Sequence, residues 1–289
     1  MSEFLVKKLY VRFFDIDKEN GQSFPVATIQ IQEKNNNQEI VPVVFITNET
    51  FRNTTNQEII QLANHAFNEI KYIYPKISDR KIEEIQFDCD WTVQTKENYF
   101  LFLKTVQQIS KDIVVSATIR LHQIKDKQET GIPPIEKGVL MYYATSSPIE
   151  DNNNNSILDN NTAKNYIENL DEYPIKLDVA LPIYSWAIVT NELGEKRLVN
   201  GIRPENLSDS TLYQKLNKNN YRVKKEHYLN AIFVYENYEI KIEYISENDL
   251  QIAAKNIRKK INNKSFQTIL YYLDDKNIKH YSTETLKNL

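Results

Sequence analysis

The stretch KIEEIQFDCDWTVQTKENYF, Lys81–Phe100, decides how this chain is read. Its core, Ile85–Thr92, alternates with period two. Gln86, Asp88, Asp90 and Thr92 fall on one face, and Ile85, Phe87, Cys89 and Trp91 on the other. Period-two alternation specifies a strand. Two carboxylates on one face of a strand stand roughly 6–7 Å apart along it. An apolar, helix-prone run, Tyr99–Ile109, follows directly. A strand that turns its apolar side to the next helix and carries acids at its C-terminal end is the unit from which a barrel active site is built. The plainer alternative is a half-exposed strand whose acids face water.

The neighbouring stretches repeat the pattern. Val114–Gln123, VVSATIRLHQ, sets Ser116, Thr118, Arg120 and His122 on one face and Val115, Ala117, Ile119 and Leu121 on the other. Further strands are predicted from near Leu9 (LYVRFFD, with Asp15 and Asp17 at its end), Val41 (VPVVFIT), Gly138 (GVLMYYAT), Leu177 (LDVALPIYSW) and Phe266 (FQTILYYLD, followed by Asp275). A shorter one is expected at Ala27–Gln32. Thr55 or Asn56 caps a predicted helix with apolar residues from Ile59 to Ile70 at helical spacing. Strand–helix alternation specifies an α/β fold, and acids and aromatics at the ends of several strands favour a (β/α)8 TIM-type barrel over an open sheet. Seven barrel strands are read where eight are needed, so either one of the weaker strands closes the barrel or the first is missing and lies before Met1. The whole chain, 1–289, is read as one barrel domain, with a β-rich insertion at 187–245 before the last strand. Within it a hairpin is expected over Ala187–Val199, an irregular or weakly helical stretch over Asn206–Lys225, and strands over Ala231–Ile245. Asp151–Asn161 is Asn-rich and is expected to be mobile.

Composition narrows the function. The 289 residues are 41% hydrophobic and 26% charged, enough to bury a core. A net charge of -3 argues against nucleic acid found through bulk charge. Five glycines and the lack of a Gly-rich phosphate loop speak against nucleotide cofactors, and none is expected. The lone Cys89 excludes an internal disulfide or a cysteine zinc site, and no H-x-x-x-H spacing suggests a metal. No apolar run reaches membrane-spanning length. MSEFLVKKLYVRFF lacks the features of a signal peptide, which taken literally leaves the chain in the cytoplasm.

With these residues in view, the chain resembles the chitinase-like barrels of glycoside hydrolase family 18. Their fourth strand carries D-x-x-D-x-D-x-E. Here Asp88 and Asp90 match the second and third acids, while Ile85 and Thr92 stand in place of the first acid and the glutamate. Their M-x-Y-D is matched by Met141 and Tyr143, with Ala144 in place of the aspartate. The chain also resembles bacterial relatives that carry segments like DCDWT, SATIRLHQ, VLMYY and ALPIYSW, which implies a shared fold and export in those relatives. The resemblance implies a carbohydrate as partner, hydrolysis as the reaction, and catalysis by Asp88 and Asp90; the polar face of the next strand adds Arg120, which can hold a carboxylate or a substrate oxygen bidentately, and His122, a base, a hydrogen-bond donor or a satisfied buried histidine. In the family the glutamate protonates the leaving group and the substrate's acetamido group attacks. Thr92 cannot do the former, so Asp90 is expected to serve as the acid, with the charge of Asp88 raising its pKa. The alternative is that both aspartates pair with Arg120 and His122 in the barrel interior. Tyr143, Tyr184 and Trp186 are the expected sugar platforms, with Asp15 and Asp274 as further substrate contacts. Trp91, on the apolar face, belongs to the core. A catalytically inactive barrel that binds glycans or a protein is the competing reading.

Overall fold

The computed structural model describes residues 6–150, 154–262 and 265–289. The chain is a mixed α/β protein whose main sheet has eight strands. It divides into two compact units: residues 1–140, 169–178 and 261–266 in the first, and 141–168, 179–260 and 267–289 in the second.

In unit 1, β1 (Lys8–Glu19), β3 (Glu39–Ile46), β4 (Glu84–Asp88) and β5 (Val114–Arg120) are paired in parallel, in that order. β2 (Gln22–Val26) lies antiparallel on the free side of β1. It replaces the strand expected at Ala27–Gln32, which is irregular apart from a single backbone bond, Ile29 N to Phe13 O, 2.7 Å. β6 (Lys137–Met141) and β7 (Lys176–Pro182) begin in this unit and end in the other. With β15 (Thr268–Tyr271), the strand order of the sheet is β15-β7-β6-β5-β4-β3-β1-β2. Each of the seven barrel strands read from the sequence is a strand here.

Helix α1 (Asn56–Ile77) starts where the sequence places it. Thr55 is its N-cap in a reciprocal capping box with Glu58. Ile59, Leu62, Ala63, Ala66, Phe67, Ile70 and Ile73 form its buried stripe. α2 (Lys96–Ser110) packs against it. Trp91, 1% exposed, stacks on Tyr99 with ring centroids 5.3 Å apart and donates from Nε1 to the Thr130 carbonyl at 2.9 Å. An aromatic this large that is fully buried and finds a partner for its N–H contributes a few kcal/mol of core stability.

Unit 2 is built on an antiparallel sheet, β10-β11-β14-β8-β9. Its strands are β8 (Ser185–Thr190), β9 (Lys196–Asn200), β10 (Tyr213–Lys215), β11 (Asn220–Val223) and β14 (Glu239–Tyr244), and a small hairpin joins β12 (His227–Leu229) to β13 (Ile232–Val234). Ala187, Val189, Val199, Tyr221, Val223, Ile240 and Ile242 form its own core. The stretch Asn206–Lys225, expected to be irregular or weakly helical, contributes two of the strands. Short strands with few apolar residues leave little periodic signal; β11 takes its form from pairing with β14, and β10 from pairing with β11. Helices α5 (Asn160–Tyr166), α6 (Glu247–Lys260), α7 (Asp275–Ile278) and α8 (Thr283–Lys287) complete the unit. No described helix is long and apolar enough to cross a membrane.

The Asn-rich stretch corrects an expectation. Residues 151–153 lie outside the described residues, but beyond them the chain is fixed. Ser156, Ile157 and Leu158 are buried. Ala144 N donates to Ile157 O at 2.7 Å, Thr145 N to Ser156 O at 3.1 Å, and the Asn155 amide to Tyr244 O at 2.8 Å. Two apolar residues and satisfied backbone groups outweigh the polar composition around them.

Candidate active site

Asp88 ends β4 and Asp90 follows it, and β5 carries the groups that meet them. β4 ends at Asp88, earlier than the alternation suggests, yet the polar faces of the two strands still meet. Thr118 Oγ1 donates to Asp88 Oδ1 at 2.6 Å. Arg120 donates through Nε and Nη2 to the two oxygens of Asp90, a fork-to-fork pair. Asp88 and Asp90 thus lie on one side, as alternation requires, with Thr118 and Arg120 beside them.

The two aspartates differ. Burial first, and then the negative charge of Asp90, raise the Asp88 pKa, against the opposing effects of the Thr118 hydroxyl, Arg120 and Arg12. Asp90 has both oxygens occupied by a guanidinium. The pairing of Asp90 with Arg120, one part of the alternative reading, is present.

His122 follows the end of β5, and its ring feels the charges of both Arg120 and Asp90. β5 stops at Arg120, and a helical turn, α3 (Leu121–Lys125), begins at once. The side-chain period changes from two to 3.6 there, so His122 is exposed and Gln123 is buried. Desolvation first, and then the Arg120 charge, lower the His122 pKa. Gln123, which the sequence reading passed over, accepts from Arg120 N at 2.8 Å and so fixes the backbone that carries the guanidinium.

Asp15 is also committed. It forms a fork-to-fork pair with Arg12 on its own strand. Residues three apart on a regular strand face opposite ways, but β1 has a bulge between Arg12 and Phe14 that restores them to one side. Thr92 stands in a turn, its N–H bonded to Thr95 Oγ1 at 3.0 Å.

Deeper in unit 1 lies an ionic cluster. Glu84, 3% exposed, accepts from Lys137 at 2.7 Å, Lys8 at 2.9 Å and Ser116 at 2.7 Å. Lys137 also meets Asp178 at 3.1 Å. Burial alone would raise the Glu84 pKa, but Lys137, Lys8 and Ser116 together outweigh it and hold it below the usual value.

Unit 2 carries the aromatics. Tyr143 and Tyr271 stack with planes 5° apart and centroids at 5.0 Å. Tyr184 stands edge-on to both, at 6.3 and 5.8 Å, and 5.3 Å from Trp186. Tyr143, Tyr184 and Trp186 therefore form one cluster. The sequence reading missed Tyr271, although its place beside Pro182 in the β15–β7 register puts it at the end of the last strand. It also missed Glu243. Trp186 lies on β8, not on a continuation of β7, and Glu243 is its cross-strand neighbour on β14. Glu243, 1% exposed, accepts from Trp186 Nε1 at 2.8 Å and from Ser156 Oγ, and pairs with Lys241 at 2.8 Å. These bonds fix the indole plane. Asp274 stands apart from this cluster in role: it is the N-cap of α7, accepting from Asn277 N at 2.6 Å.

No family model matches the chain, and no curated protein matches it. Solved structures do. A chitinase from Chromobacterium violaceum ATCC 12472 superposes with a TM-score of 0.53 at 11% identity, over 93% of this chain and 88% of that one. A chitinase from Bacteroides thetaiotaomicron gives 0.53 at 12%, over 81% and 69%. The spore cortex-lytic enzyme SleL of Bacillus cereus gives 0.51 at 12%, over 84% of this chain and 60% of its own length. The chain resembles the chitinase-like folds, and at these identities the likeness speaks to fold alone.

Proposed function

We propose that this protein is a carbohydrate-acting barrel of the glycoside hydrolase type, with Asp88 as its proton donor. The sheet order, β1 to β7 with β15 last, supports a (β/α)8-type architecture over the whole chain with the β-rich segment 187–245 inserted before the last strand. The observation that carries the functional reading is the contrast between neighbours at the end of β4: burial and the Asp90 charge raise the Asp88 pKa, while Arg120 occupies both oxygens of Asp90. Hydrolysis of a glycoside needs a carboxyl that still holds its proton near neutral pH to protonate the leaving oxygen, beside a second group of fixed negative charge. Asp88 is suited to the first role. Asp90, oriented by Arg120 and indirectly by Gln123, is suited to the second. His122 is a peripheral hydrogen-bonding group in this scheme. Tyr143, Tyr184 and Trp186 offer flat faces suited to pyranose rings.

A second reading has its own support. Thr92 and Ala144 lack the carboxyls that the chitinase-like pattern puts there, and a barrel that holds glycans without cleaving them needs neither. Turnover of a glycan panel by wild type and Asp88→Asn tests the proposal. The expected loss is about 10²–10⁴-fold, the usual contribution of general acid catalysis, with the fold retained. Undiminished turnover would remove Asp88 from the chemistry. Glycan retention that is weakened by Trp186→Ala, with no turnover by wild type, would establish the binding reading instead.

A further inference from the structure

Unit 2 contains a cavity of about 440 Å3 lined by none of the residues assigned above to catalysis or to the aromatic platform. Its wall comes from the Asn-rich stretch before α5, from the turn between β10 and β11, and from the start of α6. It is lined largely by amides, and two of them are incomplete. The side-chain oxygens of Asn160 and Asn219 are both buried, and neither has a hydrogen-bond partner among the described residues. The orientation of Asn160 is settled by its other end, since Nδ2 donates to the Asp249 carbonyl at 3.1 Å. Asn219 is pinned through its backbone, whose N–H donates to Asn217 Oδ1 at 3.1 Å and whose carbonyl accepts from Ile242 N at 2.8 Å. Buried amide oxygens without donors are costly, so two in one cavity mark a place where donors are to be supplied.

The rest of the lining says which donors. Asp159 and Asp249 also reach the cavity, but as caps: Asp159 accepts from Thr162 N at 2.7 Å, and Asp249 from Ser246 N at 3.0 Å and Ser246 Oγ at 2.6 Å. Two carboxylates disfavour an anion. Their commitment to caps, and the presence of Lys218 in the lining, disfavour a metal ion. Hydroxyl groups fit, because they donate to amide oxygens and accept from amide N–H groups and from Lys218. Tyr244, Leu158 and Ile252 supply apolar surface, and the Arg203 guanidinium lies 5.5 Å from the Tyr244 ring centroid. Hydroxyls around a ring with an apolar C–H face describe a pyranose, and the volume lies in the range of small-molecule sites.

We propose that this cavity is a saccharide site, separate from the Tyr143–Tyr184–Trp186 cluster, that takes a neutral pyranose through the side-chain oxygens of Asn160 and Asn219. It goes beyond the catalytic reading and stands whether or not Asp88 supports turnover. Saturation-transfer NMR on the full chain, with the methyl glycosides of N-acetylglucosamine, glucose and mannose at about 10 mM, a concentration suited to millimolar affinity, tests it. At least one glycoside should show transfer. Asn160→Ala and Asn219→Ala should each weaken it about tenfold, the equivalent of one hydrogen bond. Asn161→Trp, at an exposed position on the cavity wall whose side chain can fill the space, should remove the part that depends on Asn160 and Asn219 at an unchanged melting temperature, which guards against misreading a folding defect. Transfer equal in wild type and Asn161→Trp would overturn the proposal, as would transfer from none of the three glycosides. Stabilisation by calcium alone that disappears in the Asn160→Ala/Asn219→Ala double variant would overturn it in favour of a cation site. Asn161-sensitive binding without turnover of the glycan panel would leave this site standing and remove only the catalytic reading.

Discussion

Glu84 and Asp88 sit at the two ends of β4, on the same face of the same strand, and their surroundings are opposite. Glu84, at the N-terminal end, has two lysines and a serine hydroxyl around it, and these neighbours hold its pKa down in spite of burial. Asp88, at the C-terminal end, has one threonine hydroxyl and another carboxylate close by, and its pKa is raised. One acid is charge-balanced and serves the fold. The other is held where its charge is disfavoured, the condition under which a carboxyl can handle a proton. In the barrel proposed above, whose site would be built at the C-terminal ends of parallel strands, this division between a stabilising end and a chemical end is expected.

The largest effect should come from the balanced end. Glu84→Gln leaves two lysines without their shared partner and should cost about 3–5 kcal/mol, read by chemical denaturation. The pH dependence has a definite sign. A carboxyl whose folded pKa lies below its unfolded value contributes stability above about pH 4.3 and loses it as pH falls through the folded pKa. Glu84→Gln should therefore fall furthest behind wild type near neutral pH and approach it in acid. A difference that stayed constant with pH would show that the carboxylate charge is not what matters.

Lys137→Met removes one of the two cations. Glu84 keeps Lys8 and Ser116, so the loss should be smaller, about 1–3 kcal/mol. A loss equal to that of Glu84→Gln would mean that Lys137 alone neutralises the cluster.

These differences show how much of the molecule was legible in the sequence. Seven of the eight strands of the main sheet, all but β2, announce themselves as apolar or alternating runs, and α1 announces itself by its stripe and cap. Strand ends do not. His122 keeps the parity of Arg120 in the sequence, but the change to a helical turn after Arg120 leaves it exposed. Asp15 is turned toward Arg12 by a bulge that the double phenylalanine Phe13-Phe14 hints at only in retrospect. Asp274 looked like a strand-end acid, yet an aspartate just before a short helical run is equally an N-cap, and that is its place. Glu243 alternates with Ile240 and Ile242 as a solvent-facing residue would. Its burial comes from Trp186 and Ser156, which are distant in sequence, so local pattern could not reveal it. Ser156-Ile157-Leu158 was hidden by averaging over the asparagines around it.

Asp90→Asn should have the smallest effect on stability. Its pair with Arg120 is 41% and 30% exposed on its two sides, and exposed pairs contribute about 0–1 kcal/mol. A loss of several kcal/mol on thermal denaturation would place Asp90 with Glu84 as a structural acid and erase the contrast at the C-terminal end.

The contrast itself is tested most directly by the stability of Asp88→Asn relative to wild type as a function of pH. The folded pKa of Asp88 lies above its unfolded value of about 3.9, so the folded state binds the extra proton between the two, and wild-type stability falls as pH rises through that window. Asparagine keeps an oxygen for the Thr118 hydroxyl and carries no charge. Asp88→Asn should therefore be more stable than wild type at neutral pH, with the advantage shrinking to nothing below about pH 3.9. A variant less stable than wild type at neutral pH, with a deficit that grows as pH rises from acid, would show that Asp88 is a stabilising carboxylate like Glu84 and contradict its assignment as the proton donor.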